Sequence, residues 1–173
     1  VWRHGDLTKI NRRGGVYVYG RSDATLNRHG VRIGSAEIYR VLEQVAAIRD
    51  SLVICCELPD GGYYMPLFVA LRDGAAMSAE LLREIQRRLR EDASPRHVPD
   101  EIHVAPAIPY TLTGKKMEVP VRKLVMGMAP EKAASRDAMA DPAPLDWYVD
   151  FANRPEVAVR RGLNPSNPTG DMQ

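Results

Sequence analysis

The chain has 173 residues, 45% hydrophobic and 27% charged, enough to build a core for one domain, or for one and a fragment. Its 24 basic side chains against 22 acidic ones leave a net charge of +2, too weak a field for a dedicated nucleic-acid binder. Apolar runs fall far short of the roughly 18 residues of a membrane span, no signal peptide is visible, and the adjacent Cys55 and Cys56 suit neither an ordinary disulfide nor a CxxC metal site. A reduced, cytoplasmic compartment is the expectation.

The opening residues Val1-Trp2-Arg3-His4-Gly5-Asp6 lack a Met and read as an excerpt from the middle of a longer polypeptide. Val16 to Tyr19 is a short strand of β-branched and aromatic residues that ends at Gly20. Arg21 to Gly30 is polar and aperiodic, a loop or hinge. Ser35 is placed to cap a helix whose apolar stripe is Ile38, Val41, Leu42 and Val45, ending near Ala46. Leu52 to Cys56 and Leu67 to Leu71 read as buried strands, and Asp60-Gly61-Gly62 between them makes an antiparallel hairpin. Ser78 caps a second helix with Leu81, Leu82, Ile85 and Leu89 on one face. Four prolines exclude a helix between Ala93 and Thr113, leaving Glu101 to Val104 as an edge strand. Val119 to Met126 is a short closing helix. Ala129 to Pro144, rich in Ala, Pro and Asp, reads as a linker, Leu145-Asp146-Trp147-Tyr148 as a local docking segment, and Asn164 to Gly170 as disordered. Alternating short strands and helices of this kind predict a small α+β domain.

Three stretches could carry chemistry. In Pro109-Tyr110-Thr111-Leu112-Thr113-Gly114-Lys115-Lys116, Gly permits close backbone approach and Lys supplies a mobile charge for a phosphate. A Walker A loop is excluded, since Pro109 stands where its first Gly belongs and Lys116 where its Ser or Thr belongs. On local spacing alone the stretch serves equally as an exposed turn with solvated lysines. In Gly30-Val31-Arg32-Ile33-Gly34, two glycines bracket a guanidinium suited to phosphate, although a polar turn before a capped helix fits the same residues. In His4-Gly5-Asp6 the carboxylate could hold a sugar diol, or be a surface loop Asp. The four histidines are scattered, so no metal site is expected. His97 reads as a loop packing residue, Cys55 and Cys56 as inert core, and no Ser sits in a GxSxG setting.

Taken in order, Trp2-Arg3-His4-Gly5-Asp6, Gly20-Arg21-Ser22-Asp23, Gly30-Val31-Arg32-Ile33-Gly34-Ser35-Ala36-Glu37-Ile38 and Thr113-Gly114-Lys115 resemble, in wording and spacing, the closing motifs of the adenylate-forming acyl-CoA synthetases. Within that family Leu26 to Gly34, Arg96-His97-Val98-Pro99 and Ile108 to Glu118 are most similar to the branch that activates acetoacetate. Glu118 stands where the familiar last motif has Arg. The resemblance implies that residues 1–22 close a large adenylation domain, that 23–128 form a mobile lid hinged at Asp23, and that 129–173 are a linker and a partly disordered extension. It implies a lid with a short, mainly antiparallel sheet of about three strands plus a hairpin, packed by two to three helices.

The implied reaction joins acetoacetate and MgATP into an acyl-adenylate and pyrophosphate, after which CoA displaces AMP. By the resemblance Asp6 binds the ribose hydroxyls, Arg21 helps hold the ribose or phosphate, and Lys115 bridges the attacking carboxylate and the α-phosphate. The lid then turns about Asp23, Gly30 gives CoA room to pass the backbone, and Arg32 contacts a phosphate of nucleotide or CoA. ATP with Mg²⁺ would be bound mainly by the upstream domain. Acetylation would abolish the Lys115 charge, so a lysine acetyltransferase and a deacetylase are implied as partners. Two other readings are a non-catalytic stand-alone binding module and an adenylation domain that loads a carrier protein.

Overall fold

In the computed structural model, which describes residues 6–21, 26–28 and 30–162, two hairpins precede the first helix. Strands β1 (Asp6–Ile10) and β2 (Val16–Arg21) pair antiparallel around a turn in which Asn11 Oδ1 accepts from the amides of Arg13 and Gly15. Strands β3 (Leu26–Arg28) and β4 (Val31–Ile33) form the second hairpin, and helix α1 (Ser35–Leu42) follows it. The loop expected over Arg21 to Gly30 therefore contains half of a hairpin; only Leu26 and Ile33 turn inward, leaving the sequence without an apolar run. Ser35 is not the cap of α1. It is the first helical residue, and Gly34 takes the N-cap with extended backbone and no side-chain hydrogen bond.

The middle of the fold is a three-stranded sheet. Strand β5 (Ile48–Val53) runs into a small inner ladder, β6 (Cys56–Glu57) with β7 (Tyr63–Tyr64), and returns as β8 (Pro66–Leu71), which pairs antiparallel with β5. This is the predicted hairpin, closed where Gly62 N donates to Asp60 Oδ1 at 2.8 Å. Helix α2 (Ala79–Arg88) is capped by the Ser78 hydroxyl, which accepts from Leu81 N. A π-turn (Leu89–Ala93) and a 3₁₀ turn (Pro95–His97) lead to β9 (Glu101–Val104), which adds to β8 in parallel. Helices α3 (Glu118–Val125), α4 (Pro130–Ala133), α5 (Ala143–Ala152) and α6 (Pro155–Arg160) complete the described chain.

Strand alternation sends side chains to two cores. Val53, Leu67 and Val69 pack with the apolar stripes of α1 and α2, while Leu52, Phe68 and Ala70 pack with α3, α5 and α6. Ile48 joins the first core although strict alternation would put it with Leu52; the register shift between Ile48 and Asp50 reverses the phase, as a β-bulge does. Ala129 to Pro144 is not a loose linker. It holds α4 and a 3₁₀ turn (Arg136–Ala138), and it buries Ala133 and Met139. Downstream, Leu145, Tyr148, Phe151 and Val157 are buried as well, so the second core runs on to α6. Glu101 ties this segment down, accepting from Arg160 and, at 2.7 Å, from the Tyr64 hydroxyl.

Phe68 lies edge-on to Tyr148 and Phe151, with ring centroids 5.1 and 5.0 Å away, and is wholly buried. Phe68→Ala is expected to cost about 3–5 kcal/mol in urea unfolding, because the rigid rings around it cannot close the cavity. Cys55 and Cys56 are buried with their thiols pushed up by burial to about 11 and about 12. Alkylation at pH 8 should run more than about 100-fold slower in the folded chain than in urea, since the thiolate is the nucleophile. Equal rates would show that this strand opens freely.

Candidate functional site

The loop bearing Lys115 is a tight antiparallel turn. Tyr110 and Lys116 are bridge partners across its base, Thr111 N donates to Lys115 O at 2.9 Å, and Lys115 N donates to Thr111 Oγ1 at 3.0 Å. Gly114 closes the turn at φ +74°, a left-handed conformation that residues with a Cβ rarely adopt. The backbone of the loop is thus fixed by its own hydrogen bonds. Lys115 is exposed, and its ammonium has no ion-pair partner among the described residues, so it can meet an anion from outside the chain.

Two flanking segments hold the loop. On the outer side, Leu112 N donates to Ala138 O at 2.9 Å and Ala140 N donates to Tyr110 O at 3.0 Å, so residues 138–140 run beside it like a short strand. On the inner side the Lys116 ammonium reaches Asp50 Oδ1 at 2.7 Å and sits 4.0 Å from the centre of the Tyr39 ring. The Tyr110 hydroxyl donates to Asp50 Oδ2 at 2.8 Å; burial, then this hydrogen bond and the Asp50 charge, push its pKa up. The Tyr39 hydroxyl donates to Glu118 and accepts from Val53 N, and burial pushes its pKa up. Glu118, the departure from the familiar motif, is therefore part of the contact between α3 and α1. Lys116 is not the solvated lysine that the turn reading supposes.

Gly30 occupies the turn of the second hairpin at φ +75°, and a Cβ there would meet nothing within 4 Å, so the face beyond it is open. Arg32, opposite Asn27 on β4, is exposed. The hairpin is rooted by Arg28, which donates to Val98 O at 2.8 Å and pairs with Asp100, and by Cys55 Sγ, which lies 3.3 Å from Asn27 O. His97 packs beneath it, bonded at 2.8 Å to both Glu37 and Ser94. The two loops are thus anchored at different points of one chain segment, the Lys115 loop at Asp50 within β5 and the Gly30 hairpin at Cys55, beyond the end of β5. They also belong to different cores, since Leu26 and Ile33 of the hairpin are buried in the first while Met117 and Tyr110 beside Lys115 pack in the second.

Asp6 and Arg21 face each other as backbone partners where β1 and β2 meet. Asp23 lies outside the described residues. Among the described residues no group of three or more His, Cys, Asp or Glu could hold a metal ion, and no helix is long and apolar enough to cross a membrane. Asp50 and Tyr39 escape the sequence reading, and with them the inward contacts of Tyr110 and Lys116. The available signal is one acidic residue two positions ahead of the apolar run Leu52 to Cys56.

No family model matches the chain. Curated relatives do. It is 44% identical over 152 residues to the acetoacetyl-CoA synthetase of Caenorhabditis elegans, covering 87% of this chain and 21% of that protein. It is 44% identical over 149 residues to the acetoacetyl-coenzyme A synthetase of Rhizobium meliloti (strain 1021), covering 86% and 22%. Among solved structures, acetoacetyl-CoA synthetase from Streptomyces lividans superposes with a TM-score of 0.78 at 46% identity, covering 87% of this chain and 22% of that one. An anthranilate CoA ligase in complex with anthranoyl-AMP gives 0.59 at 26% identity over 65% of this chain and 22% of its own. The chain spans about a fifth of the length of the curated relatives it matches.

Proposed function

The chain belongs to the C-terminal region of the adenylate-forming acyl-CoA synthetases, and from that premise we propose that it is the lid-bearing part of an ATP-dependent acetoacetate–CoA ligase. The complete enzyme would form acetoacetyl-AMP and pyrophosphate, then pass the acyl group to CoA with release of AMP. Lys115 would place its ammonium between the carboxylate and the α-phosphate, where charge develops in the adenylation transition state. Asp6 and Arg21 would hold the nucleotide, Asp6 through the ribose hydroxyls. Gly30 would leave CoA's arm a path, and Arg32 would meet a phosphate.

The observation that carries this reading is the separation of the two loops. Loops rooted in different cores, on the two faces of the central sheet, are unlike the parts of a single site, and they suit a body that offers first one side and then the other. Asp23, between β2 and β3 in sequence, would be the pivot of that turn, with residues 23–128 as the moving lid. Mg²⁺ finds no cluster of ligands among the described residues. Acetylation of Lys115 would remove its charge, so Lys115→Gln is expected to behave as an enzyme switched off for adenylation.

The test is product analysis on the full-length protein supplied with ATP, CoA and a panel of short acids. AMP and acetoacetyl-CoA are expected, with acetoacetate preferred. ADP as the nucleotide product, or a strong preference for another acid, would overturn the assignment. The 173-residue chain alone is expected to give no ATP–pyrophosphate exchange above background, because the acid-binding pocket would lie upstream.

A further inference from the structure

We propose that Asp50 is the positioning residue for Lys115. One carboxylate closes the base of the loop, since Tyr110 and Lys116 are bridge partners there and each bonds a different oxygen of Asp50, at 2.8 and 2.7 Å. The carboxylate is itself fixed, because Ser51 N donates to Oδ1 at 2.7 Å. The β-bulge between Ile48 and Asp50 changes the phase of β5, so Asp50 shares the face of Leu52 rather than that of Ile48. Both members of the ion pair are largely shielded, with side chains 21% and 24% exposed, where a charge-assisted bond gains strength and geometric definition.

The strap also decides between two adjacent lysines. Lys116 Nζ is drawn inward by Asp50, the Ser51 carbonyl and the Tyr39 ring, which neutralises its charge and takes it away from the loop's outer face. Lys115 is left as the one ammonium of the pair that faces solvent. A ligand carboxylate or phosphate approaching this face would therefore meet a single charge at a defined place. Loosening the loop base would let both the position and the identity of that charge vary.

This inference rests on Lys115 being the adenylation lysine, and the experiment separates the two. In the full-length enzyme, Asp50→Asn keeps the shape and removes the charge. It should lower ATP–pyrophosphate exchange by about 10- to 100-fold through misplacement of Lys115, mainly in kcat, while thioester formation from supplied acyl-adenylate stays near the parent rate. Tyr110→Phe, which removes one arm, should show a smaller loss in the same half-reaction only. Unchanged exchange in Asp50→Asn, or equal loss of both half-reactions, would overturn the strap. Should Lys115→Ala leave exchange intact, the catalytic reading fails and the strap is judged by hydrogen exchange. Faster exchange of the Thr111 and Lys115 amides in Asp50→Asn supports it, and unchanged protection overturns it.

Discussion

Lys115→Ala in the full-length enzyme is expected to lose adenylation by on the order of 10²–10³-fold, the scale of removing one preorganised donor from a developing negative charge. The Thr111 carbonyl, the Thr111 hydroxyl and the Lys115 carbonyl hold the turn through bonds that do not involve the Lys115 ammonium, so its backbone should survive the change. Thioester formation from supplied acyl-adenylate should persist, because by then the Gly30 hairpin is in use. Pre-steady-state measurement of each half-reaction checks this. Equal loss in both would mean that Lys115 supports structure and not chemistry.

The second large effect is structural. Ending the chain after Met128 should abolish cooperative folding of the second core. The cut removes Leu145, Tyr148 and Phe151, all within 1% of full burial, together with the residues 138–140 that flank the Lys115 loop. Losing one buried aromatic alone costs about 3–5 kcal/mol against a total stability of about 5–15 kcal/mol for a domain. Circular dichroism through a urea titration reads the result. A sigmoidal transition at the parent midpoint would show that residues 129–162 are dispensable, as the linker reading supposed.

Much of the central architecture is legible in the sequence because it is periodic. The stripe Ile38, Val41, Leu42 defines α1, and the paired apolar runs around Asp60-Gly61-Gly62 define the β5–β8 hairpin. Ser78, three positions ahead of the amide it caps, marks the start of α2. Ser35 misleads because Gly34, immediately before it, takes the extended backbone of the cap while Ser35 enters the helix. The segment after Met128 misleads for another reason. Its helices are four to ten residues long, and its buried Ala133 and Met139 stand too far apart to show a period in an Ala- and Pro-rich composition.

The candidate site divides in the same way. Gly114 and Gly30 are marked by local sequence, and both take the left-handed backbone that a tight turn requires. The partners of Lys116 are not marked, because Asp50 and Tyr39 are far away in the chain and come together only when α1 and the Lys115 loop pack against β5. Local spacing cannot tell a solvated lysine from a paired one. The tertiary contact makes the difference.

Thioester formation by Gly30→Val, measured in a single turnover from supplied acyl-adenylate, tests the division of labour between the Lys115 loop and the Gly30 hairpin most directly. A Cβ at this position meets no atom of the described residues within 4 Å, but the valine enters the open face by which CoA is proposed to pass and strains a backbone at φ +75°. The expected result is a large loss of thioester formation with ATP–pyrophosphate exchange retained, the mirror image of Lys115→Ala. Loss of exchange to the same degree, or thioester formation at the parent rate, would contradict the assignment of the two loops to two half-reactions.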